Sequence, residues 1–189
     1  MREKRFKKLT QQEVVELISY DPESGRAFWN ERDVKWFNEG KQIAQHSANA
    51  WNAQFAGKEI KSVDAFGYVV FSFFDYPVKL HRVIWFREYG TWPKIIDHIN
   101  GIKNDNRLCN LREVTSEENA KNQKLSSRNK SGRVGVSLNK KDSTWKVFIM
   151  IKKKPVHLGY FASLEEAIKV RDAAEIEYGY HENHGRIMI

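Results

Sequence analysis

Cysteine is almost missing from this chain. Cys109 is the only one in 189 residues, so an intramolecular disulfide is impossible, as is any Cys-based zinc ribbon or knuckle. That usage fits a reduced, intracellular setting. No apolar run approaches the ~20 residues that a membrane helix needs. The opening MREKRFKK is basic, but no apolar stretch follows it, so no secretory signal is expected. Long internal repeats and low-complexity tracts are also lacking. Acid is the minority charge, with 24 Asp+Glu against 32 Lys+Arg and a net charge of +8. A balance this basic favours a polyanionic partner, nucleic acid or an acidic membrane surface. The remaining composition, 41% hydrophobic and 30% charged, is that of a foldable chain. Its length allows one ordinary domain or two to three small ones.

The positive charge is concentrated. Between Lys121 and Pro155 there are eleven basic residues and one acid, Asp142. A short lysine run is ordinarily a solvated face. This one spans a polar stretch and a predicted hairpin, with Trp145 and Phe148 interleaved, which favours phosphate contacts. A membrane surface is better met by a basic amphipathic helix. The strongest helix signal near the C-terminus is instead acidic at its start, with Glu165 and Glu166.

Local signals divide the chain. Residues 1–8 read as a basic arm. Thr10 and Glu13 have capping-box spacing ahead of a helix over 10–19. Asp21 to Gly25 carry turn chemistry, and Ala27 to Trp29 start a strand. Residues 31–62 have no clean period and no expected organisation. Residues 66–86 read as a hairpin, turning at Asp75-Tyr76-Pro77, followed by a helix, with 78–86 open between strand and helix. Thr115 and Glu118 predict a second helix start near Ser116, and 125–132 read as a linker. Three strands follow, at 135–139, 145–152 and 155–161. Ser163 and Glu166 then open a helix to about Tyr178 with a stripe of Ala167, Val170, Ala174 and Tyr178.

The densest chemical signal is Asp97-His98-Ile99-Asn100-Gly101, then Asn104-Asp105-Asn106, Asn110-Leu111-Arg112 and Asn119. Hydrolysis of a phosphodiester needs a base for water, and an imidazole suits that task. It also needs positive charge at the phosphate, which a hard divalent cation with oxygen ligands supplies. Asp97 offers a charged oxygen beside His98, and Asn119 a neutral one. Asn110 can orient the loop or the imidazole through its amide. Asp-His pairs and Asn-rich turns are common. The full spacing is the distinguishing feature: twelve residues from His98 to Asn110 and nine from Asn110 to Asn119.

With His81-Arg82-Val83 upstream and Asn110-Leu111-Arg112-Glu113-Val114-Thr115 downstream, the stretch 81–122 resembles the HNH endonucleases, above all the phage homing enzymes. The resemblance implies a ββα-metal site. His98 would be the general base and Asn110 the middle Asn, structural in role. Asp97 and Asn119 would bind one divalent ion, Mg²⁺ with Mn²⁺ able to substitute. The third motif position is Asn rather than His, which disfavours zinc. His81 is expected to be a packed, hydrogen-bonded structural residue, and Asp105 a turn residue.

In the second half, Trp145, Val147, Ile149 and Ile151 share one strand face, expected to pack on the helix. Lys146, Phe148, Met150 and Lys152 share the other, expected to point outward. Gly135-Val136-Ser137, Trp145-Lys146, His157-Leu158-Gly159-Tyr160-Phe161 and Asp172-Ala173-Ala174 resemble the APETALA-type (AP-two/ERF) DNA-binding domain over 131–180. That family reads DNA with a three-stranded sheet. The positions carried over are Arg133, Ser137, Asn139, Lys146, Phe148, Met150, Lys152 and His157. Phe148 and Met150 depart from the long polar side chains common there, and can touch thymine methyls or bury against protein.

The expected fold class is therefore α+β: a ββα-metal nuclease core, then a three-stranded antiparallel sheet packed on one helix. The expected domains are an N-terminal region with arm and short helix (1–65), a nuclease core (66–124), a linker (125–132), a DNA-binding domain (133–181) and a tail (182–189). The expected activity is metal-dependent, site-specific cleavage of double-stranded DNA, one nick per site, by a monomer or homodimer on DNA. Its setting would be the cytoplasm of a phage-infected bacterium, with no membrane partner. The rivals are a non-catalytic DNA-binding regulator, a nuclease of another biological role, and an RNA-binding protein. Absence of an aromatic ribonucleoprotein-type strand motif weighs against the last.

Overall fold

A computed structural model describes residues 9–37, 40–74, 76–122 and 125–185. The expected basic arm, Asp75, Lys124 and the last four residues of the tail lie outside these. The chain forms two compact units. One runs through His98 and resumes from Ile102 to Glu113; the other holds Ile99–Gly101 and the chain from Val114 onward. Among the described residues, no helix is long and apolar enough to cross a membrane.

The first unit opens with helix α1 (Gln11–Leu17). Thr10 and Glu13 form the full capping box that their spacing predicts, satisfying two otherwise orphaned amides. The helix stops at Leu17, earlier than expected. The chain then extends into strand β1 (Ile18–Tyr20), paired antiparallel with β2 (Ala27–Trp29). Between these strands Gly25 has φ 74°, and a Cβ there would lie 2.5 Å from Arg107 N. Only glycine lets this turn press on the 106–107 backbone.

Residues 31–62, unorganised from sequence, contain a 3₁₀ turn (Val34–Trp36) and a 15-residue helix, α2 (Lys41–Phe55). The inward positions of α2 are filled by Ala44 and Ala48, each 2% exposed. Asn52 clamps both backbone groups of Arg32, whose guanidinium stacks 3.8 Å over Trp51.

Strands β3 (Val70–Phe73) and β4 (Tyr76–Lys79) form an antiparallel hairpin. Tyr76 and Pro77 sit in β4 rather than in the expected turn, and the reversal begins at Phe74, with φ 50°. Helix α3 (Leu80–Tyr89) follows directly and ends at Gly90 in the left-handed conformation. Strands β5 (Ile96–His98) and β6 (Leu111–Glu113) pair antiparallel. One apolar cluster unites these elements, with Val14, Leu17, Ile18, Phe73, Leu80, Val83 and Ile84 almost fully buried.

The second unit starts with the short helix α4 (Ser116–Ala120), and Thr115 and Glu118 form its full capping box. Strands β7 (Val136–Asn139), β8 (Thr144–Ile151) and β9 (Lys154–Phe161) make an antiparallel sheet in that order. Helix α5 (Leu164–Glu177) packs on all three. Ser163 caps α5 by accepting from Glu166 N, without the reciprocal bond of the other two caps. These bounds lie within a residue or two of the expected ones, because alternation and caps agree here.

Four details differ. Ser131 and Gly132 are not loose linker: Ser131 is 7% exposed and its hydroxyl lies 2.7 Å from Val136 O. Lys152 leaves the strand for a two-residue turn, with φ 47° and 63° at Lys152 and Lys153, as tight hairpins require. A bulge between Val147 and Phe148 shifts the β8–β9 register. The buried stripe of α5 is Ala167, Arg171, Ala174 and Glu175, while Val170 and Tyr178 are only half-buried.

Candidate active site

The β5–β6 pair organises the first unit's polar centre. Asp97 and His98 are consecutive on β5, so their side chains leave opposite sides of the strand. Asp97 stands directly across from Arg112 on β6. Arg112 Nε and Nη2 donate to Asp97 Oδ2 at 3.1 and 2.8 Å. A carboxylate facing a guanidinium this way is a hard oxygen donor in a charged setting.

His98 is 4% exposed. Its Nε2 lies 3.3 Å from Asn106 Oδ1. Asn106 Nδ2 donates to Asn104 O, which assigns Oδ1 to the histidine side. An amide oxygen only accepts, so this contact is a hydrogen bond in the tautomer with the proton on Nε2 and the lone pair on Nδ1. Burial lowers the His98 pKa below its ordinary value, with the Asn106 bond and the Asp97 charge opposing in part. A neutral imidazole results, the form able to take a proton.

Sequence spacing gives Asn106 no role of its own, and its partnership with His98 emerges only in the folded loop. The one hint in the sequence is the Asn104-Asp105-Asn106 run, which ends eight residues past His98. Asn106 is 2% exposed. Its carbonyl accepts from the Tyr20 hydroxyl at 2.8 Å, and Leu108 N donates to Pro22 O. The Asp21–Gly25 turn thus braces the loop that orients the histidine. Asn110, 5% exposed, donates through Nδ2 to Asp105 O at 2.8 Å, tying the same loop. Asp105 itself holds Arg107 in a two-point ion pair.

His81 is buried as expected, but its Nδ1 has no hydrogen-bond partner. The ring stands edge-on to His98 at 5.0 Å, and Tyr68 lies 5.2 Å from His81 and 6.0 Å from His98. Burial, followed by the charge of His98, takes the His81 pKa down to about 3.

Asn119 lies on α4 in the second unit, half-buried. Among the described residues, no group of three His, Cys, Asp or Glu could hold a metal ion. The donors at hand are a carboxylate oxygen and amide oxygens. That chemistry fits a hard divalent ion carrying several waters, which needs few protein ligands.

On the C-terminal sheet, Ser137 pairs with Lys146, Lys146 with Tyr160, and Phe148 with His157. Opposed residues share a face, so these side chains and Met150 lie together on one side. Ser137, Lys146, Met150 and His157 are exposed, Phe148 half-buried. Tyr160, which sequence reading omitted, is 53% exposed and lies 4.7 Å from His157. Its pairing with Lys146, beyond the bulge, places it there. Asn139 is engaged by Asp142 in the β7–β8 turn. Arg133 is turned inward to Glu175 and Asp172, each at 2.6 Å. The face itself is more aromatic than basic, and the lysines cluster at its hairpin turns.

Comparison with known proteins gives one match. Residues 78–121 match the family described as HNH endonuclease. That segment runs from β4 through α4 and contains Asp97, His98, Asn110 and Asn119. No curated protein and no solved structure matches the chain. The match supports an HNH nuclease, a family that acts on DNA and generally uses a divalent metal.

Proposed function

We propose that this protein is a metal-dependent, site-specific DNA endonuclease of the phage homing type. The observation carrying the reading is His98: buried, its pKa lowered by burial, its Nε2 against Asn106, following Asp97 in the chain and inside the matched segment. His98 Nδ1 takes the proton from the attacking water. Asn106 fixes the ring, Asn110 and the Asp21–Gly25 turn hold the loop, and Arg112 orients Asp97. Asp97 and Asn119 would hold the divalent ion, Mg²⁺ or Mn²⁺. When bound, that ion supplies positive charge to the scissile phosphate and the leaving 3′ oxygen. The β5–β6 hairpin with α4 is read as the ββα-metal core.

The C-terminal sheet and helix are read as an AP-two/ERF-type module that fixes the cleavage position. Ser137, Lys146, Phe148, Met150 and His157 would face the major groove, which admits a two-stranded ribbon. Lys152 would meet a phosphate from the hairpin turn, and Asn139 would contact DNA from the other turn. One base per chain implies a nick by a monomer and a double-strand break only by a homodimer. The action would take place in the cytoplasm of the infected host.

Incubation with supercoiled phage and bacterial DNA, in Mg²⁺, Mn²⁺ or EDTA, tests this. Open-circle product that needs the ion and is lost in Asp97→Ala supports the reading. Tight DNA binding with no cleavage under any condition would instead make the protein a regulator. Preference for RNA over duplex DNA in competition would overturn both.

A further inference from the structure

A cationic feature beside His98 belongs to none of the residues assigned above. Tyr68 follows a tight loop in which Asp64 Oδ1 accepts from Phe66 N and Tyr68 N at 2.8 and 2.9 Å. Two ammonium groups converge on the Tyr68 ring. Lys79 Nζ, at the end of β4, is 3.7 Å from the ring centre, and Lys103 Nζ, in the loop after β5, is 4.8 Å away. The Lys103 ammonium is pinned by a 3.0 Å bond to Phe66 O. Its stem crosses Gly67, where an added Cβ would sit 3.9 Å from Lys103 Cδ. Among the described residues, neither lysine makes an ion pair with a carboxylate. Both are half-buried.

Two like charges drawn onto one ring repel each other. Cation–π attraction to a single ring offsets little of that repulsion. Lysines with no other task spread into water and gain side-chain entropy. These two are instead held from separate segments, on a ring 6.0 Å from the candidate base. The Asp64 carboxylate lies within electrostatic reach of both lysines, but among the described residues no anion bridges the two ammonium groups.

We propose that Lys79 and Lys103, seated on Tyr68, form a binding site for one backbone phosphate of DNA next to His98. A phosphodiester carries one negative charge and two free oxygens, which matches two ammonium donors converging on one place. The site positions the strand, so that the scissile bond meets the imidazole rather than sliding past it. Tyr68 sets the two lysines at fixed places and is a positioning residue. This inference rests on the nuclease reading for its substrate but not for its test.

The test uses binding, measured in a His98→Ala background in which cleavage is removed. Fluorescence anisotropy with a labelled duplex gives affinity at a series of salt concentrations. Replacing both lysines, Lys79→Met with Lys103→Met, should lower affinity and flatten the slope of log affinity against log salt by about 0.9, one phosphate contact. The Arg pair at the same positions should restore the slope. Far-ultraviolet circular dichroism and melting of each variant, compared with the parent, separate lost charge from lost fold. A variant that fails to fold is replaced by the single changes Lys79→Gln and Lys103→Gln. A slope and affinity equal to the parent's overturn the proposal, even if the wild type cleaves DNA. A flattened slope in a protein that never cleaves DNA keeps the phosphate site and removes the nuclease reading.

Discussion

The two units are stabilised in different ways. In the first, fifteen buried apolar residues form one cluster, so local order can be held even where polar groups are taken out of water. His81, Asp97, His98, Asn106 and Asn110 are all buried at its polar centre. In the second unit, among the described residues, the buried cluster is Val136, Val147 and Ala167, with Ile149 and Ala174 also buried. Its interior instead contains Arg171, 2% exposed, paired with Glu175 at 2.9 Å, while Arg133 reaches the same carboxylate. Arg171 Nε also donates to Val134 O at 2.8 Å, fixing the chain entering β7. A sheet with one helix has little apolar area to bury. Charge then specifies the packing, at a desolvation cost that hydrophobic replacement avoids. The large core tolerates a buried polar centre, and the small one uses buried charge to set its own geometry.

That contrast can be broken from either side. Phe73, fully buried, should cost about 3–5 kcal/mol when cut to Ala. Calorimetry should show the first unit's transition moving far more than the second's. Acid should act on the first unit next. Folded His81 has its pKa held at about 3 against an ordinary 6.5, so the folded chain keeps it neutral while the unfolded chain protonates. The stabilisation is complete above pH ~6.5 and is lost as pH falls through ~3, by about 5 kcal/mol in all. Urea midpoints measured across that window should fall less steeply in His81→Gln than in wild type. Glu175→Ala should cost the second unit roughly 3 kcal/mol by leaving Arg171 buried without its carboxylate. Arg171→Met with Glu175→Leu should recover most of that loss in the same melts. Smallest are the caps: Thr10→Ala in the first unit and Ser163→Ala in the second should each cost about 1 kcal/mol.

The second unit was the more legible in sequence. Its strands alternate and its helix begins at Ser163, so local signals agree. What was hidden there was Arg171 and Glu175, because a charged pair on a helix reads as a solvent face until tertiary structure closes over it. In the first unit, α2 went unread. Its inward face depends on Ala44 and Ala48, too small to mark a period, and Gly40 offers no side-chain cap. Helix α3 was ambiguous because the apolar run starting at Val78 belongs first to β4 and then to the helix. At the site, Asp97, His98 and Asn110 stood out by residue type and spacing. Asn106 and Arg112 lie within the same motif, but their contacts to His98 and Asp97 are not visible there, and Tyr68 carries no signal at all. They act through cross-strand pairing and loop packing, which one-dimensional spacing does not encode. The Asp21–Gly25 turn looked like mere punctuation, yet Gly25 is where the turn meets Arg107 N.

The central claim is that His98 is the neutral base of a DNA-cleaving site. Its most direct test is the rate of supercoiled DNA nicking in Mg²⁺ by wild type and His98→Gln, followed from pH 5 to 8. The account predicts a wild-type rate whose acid limb lies below the ordinary imidazole pKa of 6.5, and a loss of at least about 100-fold in the variant. Equal rates in the two proteins, or nicking that persists in EDTA, would contradict it.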